Sequence, residues 1–480
     1  MKYVSTRDSS AAPTTYDFLD AVLEGLAPDG GLLVPESIPS VSPVELDQWR
    51  SLNYQELCFL VIRKFVDSSE ISDDELLAMI TTAYSSFSAV DVVPLVPVGA
   101  VQVMELFHGP TFAFKDVALQ LLGHLFDVAL RRRGARMTIL GATSGDTGSA
   151  AIAGVKGRSN IDCVILFPLG KTSHVQELQM TANLDSNIFC VAVKDSVFDD
   201  CQSIVKACFG DAEFNAEMAL GAVNSINWAR ILAQVVYYAY ASIRAPINTR
   251  TSFIVPTGNF GNILAGYYAK KMGFPIDKLV IASNTNDILP RFFETGIYHV
   301  KPVVVPTMSP SMDIGVSSNF ERFLFDLFGR DAKITAEKFA LLKTEKKFSV
   351  TPEQLREARE HFLSYAVDEA HTLETIAATY AEHQYLLCPH SAVGYNAALQ
   401  FKKEFPESSA VALATAHIGK FTENILSNLT KGSDAEWRAA VAASVPEELR
   451  KLASVKTRRF DIENSVDAVK QFLTSHVLRK

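Results

Sequence analysis

The sequence has little of what several classes of protein require. Its six cysteines form no Cys-X-X-Cys pair, so a zinc site is not supported and reduced thiols are the simplest interpretation. No stretch approaches the roughly 18 apolar residues of a membrane span. The N-terminal segment has no apolar stretch followed by a small-residue cleavage site, and it is poor in arginine. We therefore expect a cytoplasmic protein without a signal or transit peptide, a metal or a membrane segment.

Basic residues are in the minority. Lys and Arg number 45 against 54 Asp and Glu, which gives a net charge of −9. This balance argues against a nucleic-acid partner, which requires a basic face. An anionic small substrate remains compatible with it if the chain builds a locally basic pocket. Hydrophobic residues at 48% and charged residues at 21% are typical of a globular protein.

The hydrophobic pattern changes near residue 92. Residues 1 to about 90 carry apolar residues at helical spacing, and short strands alternate with helices beyond them. This alternation predicts an α/β protein with parallel sheets flanked by helices, in which ligands bind beyond the carboxyl ends of the strands. At 480 residues, two or three domains are expected. We divide the chain into a mainly helical N-terminal region (1–95) and two α/β domains (96–245 and 246–480).

Lys115 has unusual surroundings for a charged residue. It follows Phe112, Ala113 and Phe114 at the predicted start of an amphipathic helix. An apolar pocket and the positive end of a helix both disfavour the ammonium form, as an amine nucleophile requires. A lone lysine at a helix end is more often an ordinary surface charge. The functional interpretation therefore depends on the motifs that accompany it.

Two glycine-containing turns follow predicted strands and open predicted helices. The first contains Ser144, Gly145, Asp146 and Thr147, whose amides and hydroxyls can face an anion. The second contains Gly258, Asn259, Phe260, Gly261 and Asn262, and it matches neither the Walker pattern nor GxGxxG. It suits a phosphate held mainly by backbone amides. For the first turn, a capped turn of purely structural role is the alternative.

Two weaker signals complete the set. Asn224 and Ser225 precede a predicted helix, and Arg230 follows one turn later, which suits a second phosphate. A helix cap with a surface arginine explains this segment about as well. Thr415 ends a predicted buried strand, where its hydroxyl could meet a cofactor ring.

These motifs together resemble one family. HGPTFAFKD, GATSGDTGSAA, VNSINWARILAQ, VPTGNFGN, SPSMDI–SSNFERF, CPHSAVG and LATAHIGKF occur in this order, and YVSTR and APDGGLLVPESIP precede them. The pattern is similar to the threonine synthase family, in the branch typified by fungal and many bacterial enzymes, and it covers essentially the whole chain. The resemblance implies a fold-type II (tryptophan synthase β-like) pyridoxal-phosphate enzyme. Such an enzyme converts O-phospho-L-homoserine and water into L-threonine and phosphate.

The resemblance also implies roles for individual residues. Lys115 would hold the cofactor aldehyde as a Schiff base, residues 258–262 its phosphate, and Thr415 would face the pyridine nitrogen. The Ser144–Thr147 loop would bind the substrate carboxylate. The residues implied at the substrate phosphate are Asn224, Ser225 and Arg230, with Lys420 as an addition. We expect a monomer or homodimer that binds this small substrate and neither nucleic acid nor membrane.

Two segments depart from the commoner family pattern. The chain has CPHSAVG at Cys388–Gly394 instead of DPHTAVG, and HIGKF at His417–Phe421 instead of HPAKF. The CPHS form resembles animal threonine-synthase-like proteins, some of which release 2-oxobutyrate. A phospho-lyase is therefore the alternative activity, and an inactive binding protein of the same fold is a third hypothesis. The intact phosphate loop, Lys115 and Thr415 favour the synthase.

Overall fold

The N-terminal region combines four helices with a small antiparallel sheet. In the computed structural model, which describes residues 1–428 and 435–477, the sheet has the order β2-β1-β3. The elements of this region are β1 (Tyr3–Ser5), β2 (Thr15–Tyr16), α1 (Phe18–Glu24), β3 (Leu33–Pro35), α2 (Pro43–Trp49), α3 (Tyr54–Arg63) and α4 (Asp73–Tyr84). Helices α1, α3 and α4 were predicted, whereas α2 and the sheet were not; strands of two or three residues are too short to show a period of two.

Strands and helices alternate in the central part of the chain, as the sequence predicts. Its elements are β4 (Leu95–Val98), β5 (Val101–Glu105), α5 (Lys115–Arg133), β6 (Met137–Ala142), α6 (Asp146–Val155), β7 (Ile161–Pro168), α7 (His174–Thr181), β8 (Ile188–Val193), α8 (Phe198–Gly210), α9 (Ala212–Met218), β9 (Leu220–Gly221) and α10 (Trp228–Arg244). Helix α5 ends where Gly134 adopts the left-handed conformation, with φ of 59°.

The C-terminal half continues the alternation with more helices. Its first elements are β10 (Thr251–Pro256), α11 (Gly261–Met272), β11 (Ile276–Ser283), α12 (Ile288–Thr295), β12 (Ile297–His299), α13 (Phe320–Leu327), α14 (Ala332–Glu345), β13 (Lys347–Ser349), α15 (Pro352–His361) and β14 (Phe362–Ala366). Then follow α16 (Glu369–His383), α17 (Pro389–Glu404), β15 (Ser409–Ala414), α18 (Thr422–Asn428), α19 (Ala435–Ser444), α20 (Glu447–Lys451), β16 (Phe460–Ile462) and α21 (Val466–His476). Short 3-10 helices occupy Pro310–Met312, Ile418–Lys420 and Leu452–Ser454.

Two large sheets organise the protein. One has the order β14-β11-β10-β15-β5-β4 and is parallel except for β4, and the other has the order β16-β8-β7-β6-β9 and is parallel throughout. Strands β7, β8 and β10 are buried along their whole length because helices cover both faces. The predicted α/β class with parallel sheets is confirmed.

The sheets exchange segments across the divisions drawn from the sequence. Strands β4 and β5, from the start of the second division, belong to the sheet of the third. Strand β16, near the C-terminus, pairs with β8 of the second division. The boundaries at 96 and 246 therefore stay a proposal, and any such division must include these exchanges.

Within the described residues, no helix has both the length and the apolar character needed to cross a membrane. The same part of the chain contains no group of three or more His, Cys, Asp or Glu side chains arranged to hold a metal ion. All six cysteines are buried and free.

Candidate active site

The loops that carry the motifs follow the carboxyl ends of parallel strands. The segment leading to Lys115 follows β5, and the Ser144 loop follows β6. The Asn259 loop follows β10, Thr415 follows β15, and the segment that ends at Arg230 follows β9. Because these strands run parallel within their sheets, their loops lie at corresponding sheet edges. The contacts described next join these loops to one another.

Lys115 is buried at the first residue of α5. Its side chain is 9% exposed, and its Nζ lies 3.5 Å from Asp146 Oδ2 and 3.4 Å from Ser311 Oγ. Burial lowers the pKa of the Lys115 amine, and the charges of Lys420 and Arg230 act in the same direction, whereas Asp146 opposes them. The amine therefore gives up its proton more readily than a surface lysine does, which suits a nucleophile or a base.

Asp146 is the buried anion beside Lys115. Its Oδ1 accepts hydrogen bonds from Lys420 Nζ at 2.9 Å and from Gln176 Nε2 at 2.8 Å. Burial alone would raise the pKa of this carboxyl, but Lys420 and Lys115 outweigh burial and hold the pKa well below its usual range. The Lys420 side chain is 0% exposed, and its Nζ also donates to Thr111 O at 2.7 Å. Asp146 and Lys420 thus bind each other, and substrate contact by either stays a prediction.

The loop between β10 and α11 has its carbonyl groups fixed by one neighbouring segment. Ser317 Oγ donates to Gly258 O at 2.6 Å. Asn319 donates to Asn259 O from its amide at 3.0 Å and from Nδ2 at 3.1 Å. In a trans peptide the C=O and N–H groups point in opposite directions. The N–H groups of Asn259 and Phe260 therefore face away from this segment.

The start of α11 is shaped to receive an anion. Phe260 adopts φ of 62°, which is unusual for a bulky residue, and packing against Phe320 at 5.0 Å helps to hold it there. No side chain among the described residues caps α11, so the amides of its first turn, from Gly261 onward, are free for an anion. A Cβ on Gly258 would lie 2.7 Å from Ser311 O, so only glycine fits at this position.

The loop between β6 and α6 leaves two hydroxyl groups available. Thr143 Oγ1 accepts hydrogen bonds from the amides of Gly145 and Gly148, each at 2.9 Å, and this fixes the turn. Gly145 adopts φ of 142°, a conformation that side chains rarely allow. Ser144 and Thr147 are half-buried, and their hydroxyls make no hydrogen bond with the described residues. They are therefore free to bind a ligand.

Arg230, in the first turn of α10, is buried, whereas Asn224, before that helix, is exposed. Arg230 is 3% exposed, its Nη1 donates to Val223 O at 3.1 Å, and its buried Nε has no partner among the described residues. Burial lowers the pKa of Arg230 to about 10. Asn224 is exposed and its Oδ1 accepts from the amide of Ile226, whereas Ser225 is half-buried. The structure thus brings Arg230 into the interior and leaves Asn224 at the surface.

Thr415 joins the end of β15 to the helix that carries Lys115. Its carbonyl accepts a hydrogen bond from the amide of Phe114 at 2.8 Å. Its amide donates to Ser391 Oγ at 3.1 Å, and Ser391 Oγ lies 3.1 Å from Cys388 Sγ. The CPHS segment is distant from Lys115 in sequence, yet it contacts the strand end at this site directly.

Comparison with known proteins identifies the family. Three family models match: "Threonine synthase N terminus" over 2–84, "Pyridoxal-phosphate dependent enzyme" over 100–416 and "Threonine synthase, C-terminal" over 391–473. The threonine synthase of Pseudomonas aeruginosa is 45% identical over 99% of this chain and 98% of its own. The chain belongs to the threonine synthase family of pyridoxal-phosphate-dependent enzymes.

Solved structures of the threonine synthase family agree over the full length. Yeast threonine synthase superposes with a TM-score of 0.92 at 41% identity, covering 100% of this chain and 99% of that one. Threonine synthase from Brucella melitensis, solved with pyridoxal phosphate bound, superposes with a TM-score of 0.90 at 41% identity and 99% coverage of both chains. The resemblance drawn from the motifs and the fold-type II expectation are confirmed.

The residues in this region fit the pyridoxal phosphate that the family uses. A buried lysine with a lowered pKa suits the cofactor aldehyde, and the uncapped amides of α11 suit its phosphate. Asn262 adds a buried donor, because its Nδ2 has no partner among the described residues. Its Oδ1 accepts from the hydroxyls of Tyr237 and Tyr238 at 2.5 and 2.7 Å, which orients the amide group.

Sequence reasoning assigned no role to several residues that contact the site. Ser311 touches Lys115, and its amide donates to His390 Nε2 at 3.2 Å. His390 is 4% exposed, and burial lowers its pKa to about 4, so the ring is neutral at pH 7. Gln176 and Ser391 bind Asp146 and the Thr415 amide as described above. Ser311, His390 and Ser391 lie within motifs that the resemblance used, so only their roles were missing.

Proposed function

We propose that this enzyme converts O-phospho-L-homoserine and water into L-threonine and inorganic phosphate, and that the sequence-predicted site residues carry out the reaction. The proposal rests on one observation. A buried amine lies in the same region as two anion-binding features that have no partner among the described residues. The amine is that of Lys115, and the features are the uncapped start of α11 and the buried Nε of Arg230. A doubly phosphorylated assembly of cofactor and substrate requires both features.

Bound pyridoxal phosphate supplies an electron sink for charge that develops next to the substrate amino group. On the protein side, Lys115 would hold the cofactor aldehyde, and Gly258, Asn259, Phe260, Gly261 and Asn262 its phosphate. Thr415 would face the ring nitrogen, and the Phe114–Thr415 hydrogen bond would tie that contact to Lys115.

Lys115 would also move the protons of the reaction. Its lowered pKa makes the neutral amine more accessible than in a surface lysine, which suits a base that takes a proton from Cα and then from Cβ of the substrate. The Cγ–O bond to phosphate breaks, water forms a C–O bond at Cβ, and protons return to Cγ and Cα. The neighbouring Asp146 carboxylate would stabilise Lys115 each time it carries the proton.

The substrate would be held at its two charged ends. The free hydroxyls of Ser144 and Thr147 would receive the carboxylate, with Gly145 and Asp146 forming the turn that places them, since the Gly145 amide is itself bound to Thr143 Oγ1. Ser225 and Arg230 would receive the phosphate, with Asn224 closing over it from the surface and Lys420 adding positive charge. Remote phosphate binding of this kind also helps to exclude water until it is needed.

The decisive experiment is a product assay on the wild-type enzyme with O-phosphohomoserine. Equal amounts of threonine and phosphate are expected, with 2-oxobutyrate as a minor product. Dominant 2-oxobutyrate and ammonia would instead make the enzyme a phospho-lyase. An absent reaction from enzyme that retains its cofactor absorbance would mean a different substrate.

The phospho-lyase is the second candidate because of one contact. Ser391 Oγ accepts from the amide of Thr415, which lies where the cofactor ring is expected, and Cys388 Sγ contacts that same Ser391 hydroxyl. The commoner Thr would keep the hydroxyl that accepts from the Thr415 amide, and the commoner Asp would accept from the amide of residue 391 as Cys388 Sγ does. We therefore retain the synthase, and we regard an inactive binding protein as the least supported hypothesis, because Lys115 and its neighbours are intact.

Replacing Arg230 by leucine should weaken substrate binding and leave the cofactor in place. A charge-assisted hydrogen bond typically contributes roughly 1.5–3 kcal/mol, so KM for O-phosphohomoserine should rise by about ten- to a hundredfold. Steady-state kinetics at saturating cofactor, with the visible spectrum as a control, measure this. Unchanged kinetics would return Arg230 to a structural role in α10.

Two further expectations remain proposals about the protein as a whole. We infer a cytoplasmic enzyme, because six unpaired cysteines suit a reducing compartment. We also infer a monomer or a homodimer whose ligands are small molecules, with no nucleic-acid or membrane partner.

A further inference from the structure

One short segment, Ser317 to Arg322, contacts three separate parts of the protein. We call it the bridging segment. Its serine and asparagine side chains bind the β10–α11 loop, as described above, with Ser317 on Gly258 O and Asn319 on Asn259 O. None of the residues assigned a role in the reaction belongs to this segment.

The bridging segment also binds the loop before α10. Asn319 Nδ2 donates to Ser225 O at 3.1 Å, in addition to its bond to Asn259 O. Arg322 Nη2 donates to Ile226 O at 2.6 Å. One amide nitrogen therefore joins the loop proposed for the cofactor phosphate to the loop proposed for the substrate phosphate.

Arg322 anchors this junction to the N-terminal region. It is 0% exposed, its Nη1 donates to Asn319 Oδ1 at 2.6 Å, and its Nε and Nη2 donate to Leu33 O at 3.0 and 2.9 Å. It forms no ion pair with any described carboxylate. The partners of this buried guanidinium are carbonyl oxygens and an amide oxygen. Its role is therefore to fix the positions of several chain segments, because it neutralises no charge.

Glu321 adds a second link to the same region. Its carboxylate accepts from Thr6 Oγ1 at 2.6 Å and from Arg7 Nε at 2.8 Å and Nη2 at 2.5 Å. The first strand of the N-terminal sheet and the segment after it are therefore fastened to the bridging segment. This gives the N-terminal region a physical connection to the site, although it contributes none of the proposed catalytic or binding residues.

We propose that Asn319 is a positioning residue that couples the two phosphate loops, with Arg322 holding its side chain in place. The substrate half of this inference rests on the proposed function, whereas the cofactor half does not. Because the Asn319 amide group binds both carbonyls at once, a shift of either loop weakens its contact with the other. Removing it should therefore affect cofactor and substrate binding together.

The test compares Asn319→Ala with Ser317→Ala. Loss of the Asn319 contacts should raise both the Kd of the apoenzyme for pyridoxal phosphate and the KM for O-phosphohomoserine by about tenfold, the effect of roughly one hydrogen bond. The Ser317 hydroxyl binds the β10–α11 loop and, among the described residues, makes no hydrogen bond to the loop before α10, so Ser317→Ala should weaken cofactor binding while KM at saturating cofactor changes less than about twofold.

Asn187→Ala provides a matched control for structural damage. Asn187 is also buried, and its Nδ2 donates to Val155 O and Ile161 O at 3.0 and 2.8 Å, away from both phosphate loops. This variant should lose thermal stability with unchanged Kd and KM. If Asn319→Ala does not fold, Asn319→Asp keeps the acceptor for Arg322 but loses the donor to both loops, and the same pair of effects is expected.

The possible failures are distinguishable. If the Asn319 variants alter only one of the two constants, or alter both no more than Asn187→Ala does, the coupling is wrong. If the wild type does not turn over O-phosphohomoserine, the proposed function fails. The inference is then decided by the pyridoxal-phosphate Kd of the Asn319 variants, and an unchanged Kd overturns it.

Discussion

Lys115→Ala should fold normally and lose all measurable turnover. The amine is the proposed covalent anchor of the cofactor aldehyde and the proposed base, so one substitution removes both functions. It also removes a buried charge that the surroundings disfavour, which is why we expect no loss of stability from desolvation. The visible absorbance that cofactor-loaded wild-type enzyme shows after dialysis should be missing from the variant.

The control for Lys115→Ala is a second buried lysine. Lys420 lies beside the same carboxylate but donates to Asp146 and Thr111, so Lys420→Met should retain the dialysis-resistant absorbance even if it is less active. Absorbance that persists in Lys115→Ala would mean that another amine holds the cofactor. If Lys420→Met loses the absorbance and Lys115→Ala keeps it, then Lys420 holds the cofactor and Lys115 does not.

The contrast between these lysines marks what sequence alone could establish. Lys115 was identifiable because its surroundings are local: Phe112, Ala113 and Phe114 precede it, and a helix starts at it. The partners of Lys420 are not local, since Asp146 and Thr111 lie hundreds of residues earlier. Its assignment to the substrate phosphate came from resemblance, and no pattern near residue 420 predicts the ion pair.

The sequence predicted the positions of the loops better than it predicted which side chains are exposed. The strand–turn–helix order predicted that Asn259 and Ser144 would lie beyond strand ends. The loops after β10, β15 and β5 lie at one edge of their sheet because these strands pair in parallel. Asn224 and Arg230 occupy one motif, yet one is exposed and the other buried. The helical phase of Arg230 turns it inward, and only the packed structure shows which side is inside.

The departures in the CPHS segment illustrate a different limit. Their distance from Lys115 along the chain left their effect unknown until β15 brought Thr415 against Ser391. The segment also supplies His390, which accepts from the amide of Ser311 beside Lys115. The N-terminal sheet formed by β1, β2 and β3 was not predicted either, because its strands of two or three residues are too short to show a period of two.

Asp146→Asn should affect both stability and turnover through one cause, the loss of negative charge between two buried ammonium groups. Removing one partner of a buried ion pair typically costs about 3–5 kcal/mol, and the substituted amide keeps the shape while losing the charge. We expect the apoenzyme to lose unfolding free energy in this range near pH 6, measured by urea denaturation. The turnover number should fall on the order of a hundredfold, because Lys115 loses the group that stabilises its protonated form.

The pH dependence separates charge from packing in this variant. The pKa of Asp146 is lowered in the folded wild type, so its contribution is fully present above the unfolded value of about 4 and is lost as pH falls below it. In the variant, Lys115 lacks its counter-charge and its pKa should fall further. The variant then regains stability as pH rises through that lowered pKa, since the unfolded chain binds more protons there.

The difference in unfolding free energy between wild type and Asp146→Asn should therefore grow as pH rises through about 4, and it should decline again at higher pH, where Lys115 of the variant loses its proton. Asp326→Asn is the matched control, because Asp326 is a buried carboxylate paired with Arg330 at 2.8 Å on α13 and has no contact with Lys115. Burial raises the pKa of Asp326 despite Arg330, so the neutral amide should cost little stability, and turnover should be unchanged. A difference for Asp146→Asn that is the same at every pH would show that the amide disturbs packing, and the buried charge cluster would then not be what holds Lys115 ready for catalysis.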